Sequence, residues 1–453
     1  MKYLTYNEFN FRKISQLQKA SEEKKFEIDV VSKVQPFKTN NYVVNELIDW
    51  EDFENDPIFI MNFPNKHMLS RSHFDILAGM LRKNSDRKSI RGLAEKIWED
   101  LNPHPAGQMN LNIPVMDGVK LSGLQHKYEE TVLFFPTQGQ TCHAYCTFCF
   151  RWPQFIGISQ LKFVMKESML LIKYLRKNKH ITDLLITGGD PMVMTARHLA
   201  EYINAVLDAD ISHLKTIRIG TKSLSYWPYR FVSDPDSKDV LRLFEKVVKS
   251  GRHLAIMANF NHPVELSTDI VHKAIKNIRQ TGATIRSQSP LLNHINANDN
   301  IWAKLWKDQV SLGIIPYYMF IPRDTGARSY FGLPLYEAWQ IFRKAFSHIS
   351  GLCRTVRGPV MSCGPGKIHI SGVSEIKNEK VFVLNFLQSR NPKWTGRPFF
   401  AGYDEQAYWL DELTPAFGQK EFFFENQYRR FIEENLNLQQ INMDDPDGLS
   451  MCS

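Results

Sequence analysis

Hydrophobic positions change period about a third of the way along the chain. Residues 1–125 are mostly helical and loop-like. The stretches Phe74-Asp-Ile-Leu-Ala-Gly-Met-Leu81 and Ile90-Arg-Gly-Leu-Ala-Glu-Lys-Ile-Trp98 place apolar residues at helical spacing. Asn102-Pro-His-Pro-Ala-Gly107 breaks the second of them. From about residue 130, short β-rich runs alternate with longer amphipathic stretches. Strands are predicted at 132–136, 184–187, 216–220, 254–259, 284–287 and 316–321. Helices are predicted between them at 166–177, 197–207, 240–249, 270–280 and 302–310. Six β-then-α units predict an α/β fold with parallel strands and crossover helices. Six are fewer than the eight of a closed barrel, so an open, partial (β/α)6 barrel fits, with its chemistry at the C-terminal ends of the strands. Runs at 367–370 and 381–384 predict a β-hairpin, and an aromatic-rich tail is expected to pack across the core. The expected division is a helical N-terminal extension (1–125), the barrel core (126–365) and a C-terminal hairpin and tail (366–453).

Composition narrows the setting. A chain of 453 residues, 43% hydrophobic, can bury a large core. No apolar run approaches the roughly 20 residues that span a bilayer, and Met1-Lys-Tyr-Leu-Thr-Tyr6 lacks the apolar stretch of a signal peptide. A soluble, cytoplasmic protein with no membrane partner is expected. The net charge of +8 is scattered, with no arginine-rich arm, so nucleic acid is not expected and anionic ligands come first after a plain solvated surface. Six cysteines in this length make no disulfide framework. Three are clustered, while Cys353, Cys363 and Cys452 are isolated, which fits a reducing compartment and a metal site.

The clustered set is Cys142, Cys146 and Cys149, directly after the first predicted strand. The spacing is Cys-x3-Cys-x2-Cys. Three thiolates can hold three irons of a cubane [4Fe–4S] cluster and leave the fourth iron open, whereas a pure electron carrier normally has four cysteines. Zinc is the competing reading. A structural zinc site usually takes four ligands in two pairs, and no second pair is evident, although His143 is near. At the end of the second predicted strand stands Thr187-Gly188-Gly189-Asp190-Pro191. Glycines let backbone approach a ligand closely, and a neighbouring carboxylate can accept hydrogen bonds from an ammonium group.

In this order the two motifs resemble the radical S-adenosylmethionine (SAM) enzymes. Further segments narrow the resemblance to the lysine 2,3-aminomutase family: Gly123-Leu-Gln-His-Lys127-Tyr128, Arg218-Ile-Gly-Thr-Lys222, Asn259-Phe-Asn-His-Pro-Val-Glu265, Ser287-Gln-Ser-Pro-Leu-Leu292 and Pro316-Tyr-Tyr318. The resemblance spans about residues 100–390. It implies a TIM-like partial barrel of the radical SAM type. It implies a [4Fe–4S] cluster on Cys142, Cys146 and Cys149, SAM oriented by Gly188, Gly189 and Asp190, and pyridoxal 5′-phosphate (PLP). In the family, SAM yields a 5′-deoxyadenosyl radical and PLP carries an amino group between C2 and C3 of an amino acid.

Carried over residue by residue, Arg151 stands where the family clamps the substrate α-carboxylate, a task suited to a guanidinium fork. Lys127 and Tyr128 stand where Arg-Tyr binds the PLP phosphate, and Thr131 stands where a second phosphate-binding arginine is expected. In Cys363-Gly-Pro-Gly-Lys367, Lys367 matches the lysine that bonds PLP, although the family's glycine run is altered. Of two aspartates that surround the ammonium of a lysine substrate, one is replaced by Arg323, with Asp324 next to it. The other is absent at Met361-Ser362-Cys363. The resemblance therefore implies a substrate other than free lysine, with Arg323 facing a distal carboxylate or another anionic or polar group. A shift of one residue would put Asp324 there and restore a cationic substrate. His126, His262 and Glu265 are expected to support the site rather than transfer protons. The family's C-terminal zinc site has no counterpart, so no structural zinc is expected. The expected partners are an amino-acid-like small molecule, an electron donor such as a flavodoxin or ferredoxin, and a second copy of the chain. Two other readings stay open: a PLP-independent radical SAM enzyme acting on another small molecule or a peptide, and a non-catalytic Fe–S sensor.

Overall fold

A computed structural model describes residues 1–102, 111–156, 165, 166 and 168–441. The break expected after Asn102 and the isolated Cys452 lie outside the described residues. The N-terminal extension begins with a two-stranded ladder, β1 (Thr5–Asn7) against β2 (Lys38–Asn40), with α1 (Glu22–Val31) between them. Helices α2 (Pro57–Asn62), α3 (Arg71–Arg82) and α4 (Arg87–Asp100) follow. Each has a side-chain N-cap: Asp56, Ser70 and Asp86 accept from backbone N–H groups of the first turn. The last two are the helices expected from the apolar spacing at 74–81 and 90–98.

The core is one eleven-stranded sheet. An antiparallel edge strand, β3 (Leu124–Tyr128), precedes β4 (Thr131–Phe134). Then come β5 (Asp183–Ile186), β6 (Thr216–Thr221), β7 (His253–Ala258), β8 (Thr284–Pro290), β9 (Ile315–Phe320) and β10 (Arg357–Ser362). The strands from β4 to β10 are parallel, each hydrogen-bonded to the next. Six helices make the crossovers: α5 (Ser168–Lys177), α6 (Ala196–Asp208), α7 (Ser237–Lys249), α8 (Asp269–Gln280), α9 (Asp299–Ser311) and α10 (Leu335–Ser347). All six expected strands are present in the expected order. The strand order never returns to its start, so the barrel is open.

The seventh parallel strand, β10, was not expected. Its Gly358-Pro359 pair reads as a turn, and proline is normally confined to bulges or edges of sheets. Here the register against β9 slips between Tyr318↔Arg357 and Phe320↔Val360, so the pair sits in an irregularity. Gly358 is needed there because a Cβ would come within 2.8 Å of Met319 Cβ.

Alternation along the strands fixes the two faces of the sheet. In β6, Ile217, Ile219 and Thr221 are buried, while Thr216, Arg218 and Gly220 are half-exposed. In β8, Ile285, Ser287 and Ser289 are buried, while Arg286 and Gln288 are half-exposed. One face is thus apolar and the other polar and accessible.

The sheet ends in three antiparallel strands, β11 (Gly366–Ile376), β12 (Glu379–Ser389) and β13 (Pro398–Gly402). The expected hairpin turns at Lys377-Asn378, both at positive φ (53° and 63°). Two such residues match the right-handed twist of the flanking strands. Phe386, Trp394, Phe399, Phe422 and Phe424 pack together beneath the helix α11 (Glu425–Ile441). A single buried apolar cluster runs from Phe11 to Phe424, joining the N-terminal extension, the barrel and the tail. Among the described residues no helix is long and apolar enough to cross a membrane.

Candidate active site

The cysteine loop leaves the C-terminal end of β4, as expected for chemistry in a barrel of parallel strands. Cys149 N–H donates to Cys146 O at 3.1 Å, which folds the last two cysteines into one turn. All three thiols are half-buried on the loop. Burial pushes the Cys142 thiol well up, raises Cys146 and lifts Cys149 to about 12; Cys146 and Cys149 add to the rise at Cys142, and Cys146 to that at Cys149. Neutral thiols would be the resting state of such a loop. A metal centre reverses this, because its charge deprotonates coordinating thiols. Among the described residues, no three cysteine, histidine or acidic side chains converge tightly enough to share one ion. Three thiols that each bind a different iron of a cubane need no such convergence.

The N-terminal extension grips this loop. Lys38 Nζ donates to Cys142 O (2.7 Å) and to Thr141 Oγ1 (3.4 Å). Asn40 Nδ2 and Tyr3 OH both donate to His143 O (3.2 and 2.7 Å). Tyr145 N–H donates to Lys38 O (2.7 Å), Thr147 N–H to Met61 O (2.9 Å), and Thr147 Oγ1 to Ile60 O (2.8 Å). His143 itself is half-buried and hydrogen-bonded to Ser223 Oγ at 2.8 Å, and desolvation of the ring lowers its pKa to about 3, which keeps it neutral.

Gly188, Gly189 and Asp190 follow β5 and face the same loop. Asp190 N–H donates to Thr141 O at 2.7 Å and to Gly139 O at 3.1 Å. A Cβ on Gly189 would stand 2.5 Å from Thr141 O and 2.7 Å from Thr141 N. Gly188 has φ +147°, a conformation few other residues adopt. The glycines are therefore required by the cysteine loop itself. Asp190 is 2% exposed. Its carboxylate accepts from Thr221 Oγ1 (2.7 and 2.9 Å), Ser223 Oγ (2.9 Å), Met192 N–H (2.9 Å) and Lys222 N–H (2.9 Å). Burial raises its pKa and these bonds oppose the rise. The sequence suggests a carboxylate turned to a ligand ammonium, but the structure gives its lone pairs to protein donors that tie β5 to the end of β6.

Gly189→Ala is expected to displace the Thr141 backbone, since neither partner is a flexible side chain. Overpacking of this kind costs about 1–3 kcal/mol. After anaerobic reconstitution the variant should retain far less iron than wild type, with unchanged helical circular dichroism. Wild-type iron content would refute the coupling of the two segments.

The second half of the site is crowded with cations. The Arg151 guanidinium lies 4.7 Å from the Phe135 ring and 5.1 Å from the Phe150 ring. Arg323 lies 4.8 Å from the same Phe150 ring and donates to Ser362 Oγ at 3.3 Å. Both guanidinia bury an Nη1 that has no hydrogen-bond partner. Burial, then the charge of Arg323, lowers Arg151 to about 10, and burial lowers Arg323. A buried cationic donor without a partner is costly, so the pair fits anionic groups of a ligand. Asp324 is also buried and close enough to influence Arg323 and Cys363.

Lys127 Nζ donates to Cys363 O, and burial holds its pKa well below the usual lysine range. The buried Tyr128 hydroxyl has no partner. Lys367, on β11, donates to Gln388 Oε1 at 2.6 Å and lies over the rings of Tyr128 (5.2 Å) and Tyr318 (5.0 Å). Burial, then Arg218 and Arg357, pull its pKa down to about 7. The missing cation at Thr131 has a counterpart that sequence reasoning did not find. Arg390, just beyond β12, donates to Gly364 O (2.9 Å) and to Asn112 Oδ1, and its charge acts on both Lys127 and Tyr128. It carries no motif and lies more than 250 residues from Lys127, so no local pattern marks it.

Other residues singled out in the sequence lie in supporting networks. His126 bonds Tyr174 OH (2.6 Å) and Glu129 O (3.0 Å). His262 and Glu265 form a capping box, and Glu265 also accepts from Lys222 Nζ at 2.6 Å.

No family model matches the chain. A protein of Aquifex aeolicus (strain VF5), provisionally named L-lysine 2,3-aminomutase, is 28% identical over 398 residues, which is 88% of this chain and 93% of that protein. The L-lysine 2,3-aminomutase of Bacillus subtilis (strain 168) is 29% identical over 266 residues, 58% of this chain and 53% of that enzyme. The glutamate 2,3-aminomutase of Clostridioides difficile (strain 630) is 27% identical over 214 residues, 47% of each chain. The match thus spans about half the length of these two enzymes. Among solved structures, a radical SAM methyltransferase from Sphaerobacter thermophilus aligns with a TM-score of 0.37 at 13% identity, covering 66% of this chain and 95% of its own. That likeness is too distant to carry an argument.

Proposed function

We propose that this chain, a divergent member of the lysine 2,3-aminomutase family, is a radical SAM aminomutase that moves the amino group of an amino acid bearing a distal carboxylate. The observation that carries the reading is the pair of buried guanidinia, Arg151 and Arg323, flanking one phenylalanine ring, each with an unpartnered Nη1. Lying each about 5 Å from one ring centre, the two guanidinia are at most about 10 Å apart. A separation within that bound can take the two carboxylates of a short dicarboxylic amino acid.

Cys142, Cys146 and Cys149 would hold a [4Fe–4S] cluster. Lys367 would bond PLP, with Lys127, Tyr128 and Arg390 around its phosphate. When bound, the cluster and SAM supply hydrogen-atom abstraction, and PLP carries the migrating nitrogen. The protein's own work is orientation. Arg151 fixes the α-carboxylate through a fork of hydrogen bonds, and Arg323 fixes the far end. The Phe135 ring packs against Arg151, and Phe150 lies against both guanidinia, which lowers the water around each ion pair and strengthens it. Gly188 to Asp190 hold the cysteine loop against β5 and β6. An external low-potential donor, such as a flavodoxin or ferredoxin, supplies the electron.

The test is anaerobic reconstitution with iron, sulfide, PLP and SAM, followed by dithionite and a panel of glutamate, 2-aminoadipate and lysine. Formation of the β-amino isomer of an acidic amino acid is the expected result. Turnover of lysine with none of the acidic substrates would overturn the substrate assignment. SAM cleavage in a protein that binds no PLP would favour a PLP-independent enzyme instead.

A further inference from the structure

The sequence motifs of the family begin at Gly123, yet the contacts that secure the cysteine loop come largely from residues before them. Lys38 stands out among them. Its ammonium donates to Cys142 O and Thr141 Oγ1 and lies 5.7 Å from the Tyr145 ring centre. Among the described residues no carboxylate forms an ion pair with it. On the other side of the loop, Tyr226 OH lies 3.5 Å from Cys146 Sγ. Asn62 Nδ2, also from the extension, donates to that hydroxyl at 3.3 Å. With its oxygen engaged as an acceptor, the phenol can turn its proton to the sulfur once Cys146 is a thiolate.

We propose that Lys38 and Tyr226 set the reduction potential of the cluster, Lys38 by a fixed positive charge beside Cys142 and Tyr226 by a hydrogen bond to the Cys146 sulfur. Reduction takes one electron from a low-potential donor, adds one negative charge shared with the cysteine sulfurs, and makes or breaks no bond in the protein. A nearby half-buried cation and a donor to sulfur both favour the more negative state, two of the levers that spread cluster potentials. A carboxylate beside Lys38 would cancel its field. The ammonium instead donates to the Cys142 carbonyl and the Thr141 hydroxyl, inside the loop that would carry the cluster. The N-terminal ladder is on this account part of the redox site. The inference rests on the cluster reading and is independent of PLP and substrate.

The test is a potentiometric titration, followed by electron paramagnetic resonance, on full-length protein reconstituted anaerobically. Lys38→Arg keeps the charge, Lys38→Gln keeps a donor without charge, and Tyr226→Phe removes only the hydroxyl. Lys38→Arg should titrate like wild type. Lys38→Gln and Tyr226→Phe should both shift to more negative potential, Lys38→Gln the further. Full iron and sulfide content in Lys38→Gln with an unmoved midpoint overturns the role of Lys38, and an unmoved midpoint in Tyr226→Phe overturns that of Tyr226. Loss of iron from Lys38→Gln but not from Lys38→Arg would make Lys38 a pin for the loop and also overturns it. A wild type that takes up no cluster would defeat the cluster reading itself.

Discussion

Lys367→Ala is expected to lose PLP binding and turnover completely. Wild-type protein incubated anaerobically with PLP should develop the long-wavelength absorbance of an imine, and the variant should not. The reason lies in the amine's surroundings. Lys367 is enclosed by the rings of Tyr128 and Tyr318, with Gln388 Oε1 as its acceptor. Arg218, Arg357 and Arg323 oppose its charge, and Asp183 favours it. With a pKa lowered to about 7, a large share of the amine is unprotonated at neutral pH and can attack an aldehyde, as desolvated lysines beside other cations do. Imine formation should therefore rise as pH passes upward through about 7. Lys367→Arg, which keeps the charge without a usable nucleophile, should fail like alanine. Absorbance that survives in either variant would remove Lys367 from this role.

The same shift has a stability consequence whose sign can be worked out. An unfolded lysine titrates near 10.4, and the folded one near 7. Between these values the unfolded chain binds the extra proton, so stability of the PLP-free protein rises with pH across this window. Below it both states are protonated, and the folded state bears the whole cost of the buried charge. Denaturant titrations of wild type across the window should show this rise, and Lys367→Ala should flatten it.

What could be read from sequence follows from which interactions are local. The six crossover units are visible because each strand carries its own apolar run and each helix its own period. The cysteine loop and Thr187-Gly-Gly-Asp190 are visible because ligand chemistry and close backbone approach impose residue types on short segments. Even so, the glycines answer to Thr141 of the neighbouring loop, and Asp190 to Thr221, Ser223 and the backbone of Met192 and Lys222. Those partners depend on register between adjacent strands, which no local window contains. Arg390 and Lys38 were illegible for a stronger reason. Each is one basic residue among 56, and only the fold brings it to Lys127 or to Cys142. The strand Arg357–Ser362 was hidden by Gly358-Pro359, whose turn preference is overridden by the parallel pairing with Ile315–Phe320.

Arg323→Asp should reverse the choice of substrate. On the proposed reading, a ligand carboxylate at the distal end would meet a guanidinium whose buried Nη1 has no partner in the protein, whereas an ammonium there would face like charge. Aspartate exchanges the two cases. Like-charge juxtaposition costs several kcal/mol, and each 1.4 kcal/mol is tenfold. The ratio of kcat/KM for an acidic substrate over lysine should thus fall by about 10^3-fold or more. Arg323→Met separates attraction from repulsion: it should lower kcat/KM for the acid without creating activity on lysine. The methionine variant carries a second, opposite expectation. Because Arg323 and Arg151 repel across Phe150, and the charge of Arg323 helps to lower the pKa of Arg151, removing one cation should raise the melting temperature of the ligand-free protein. A site shaped for anions is strained when empty, and that strain should be measurable as stability gained when Arg323 is lost. If the substrate ratio in Arg323→Asp matches wild type, Asp324 or another group must face the distal end, and Arg323 would be left as a structural cation.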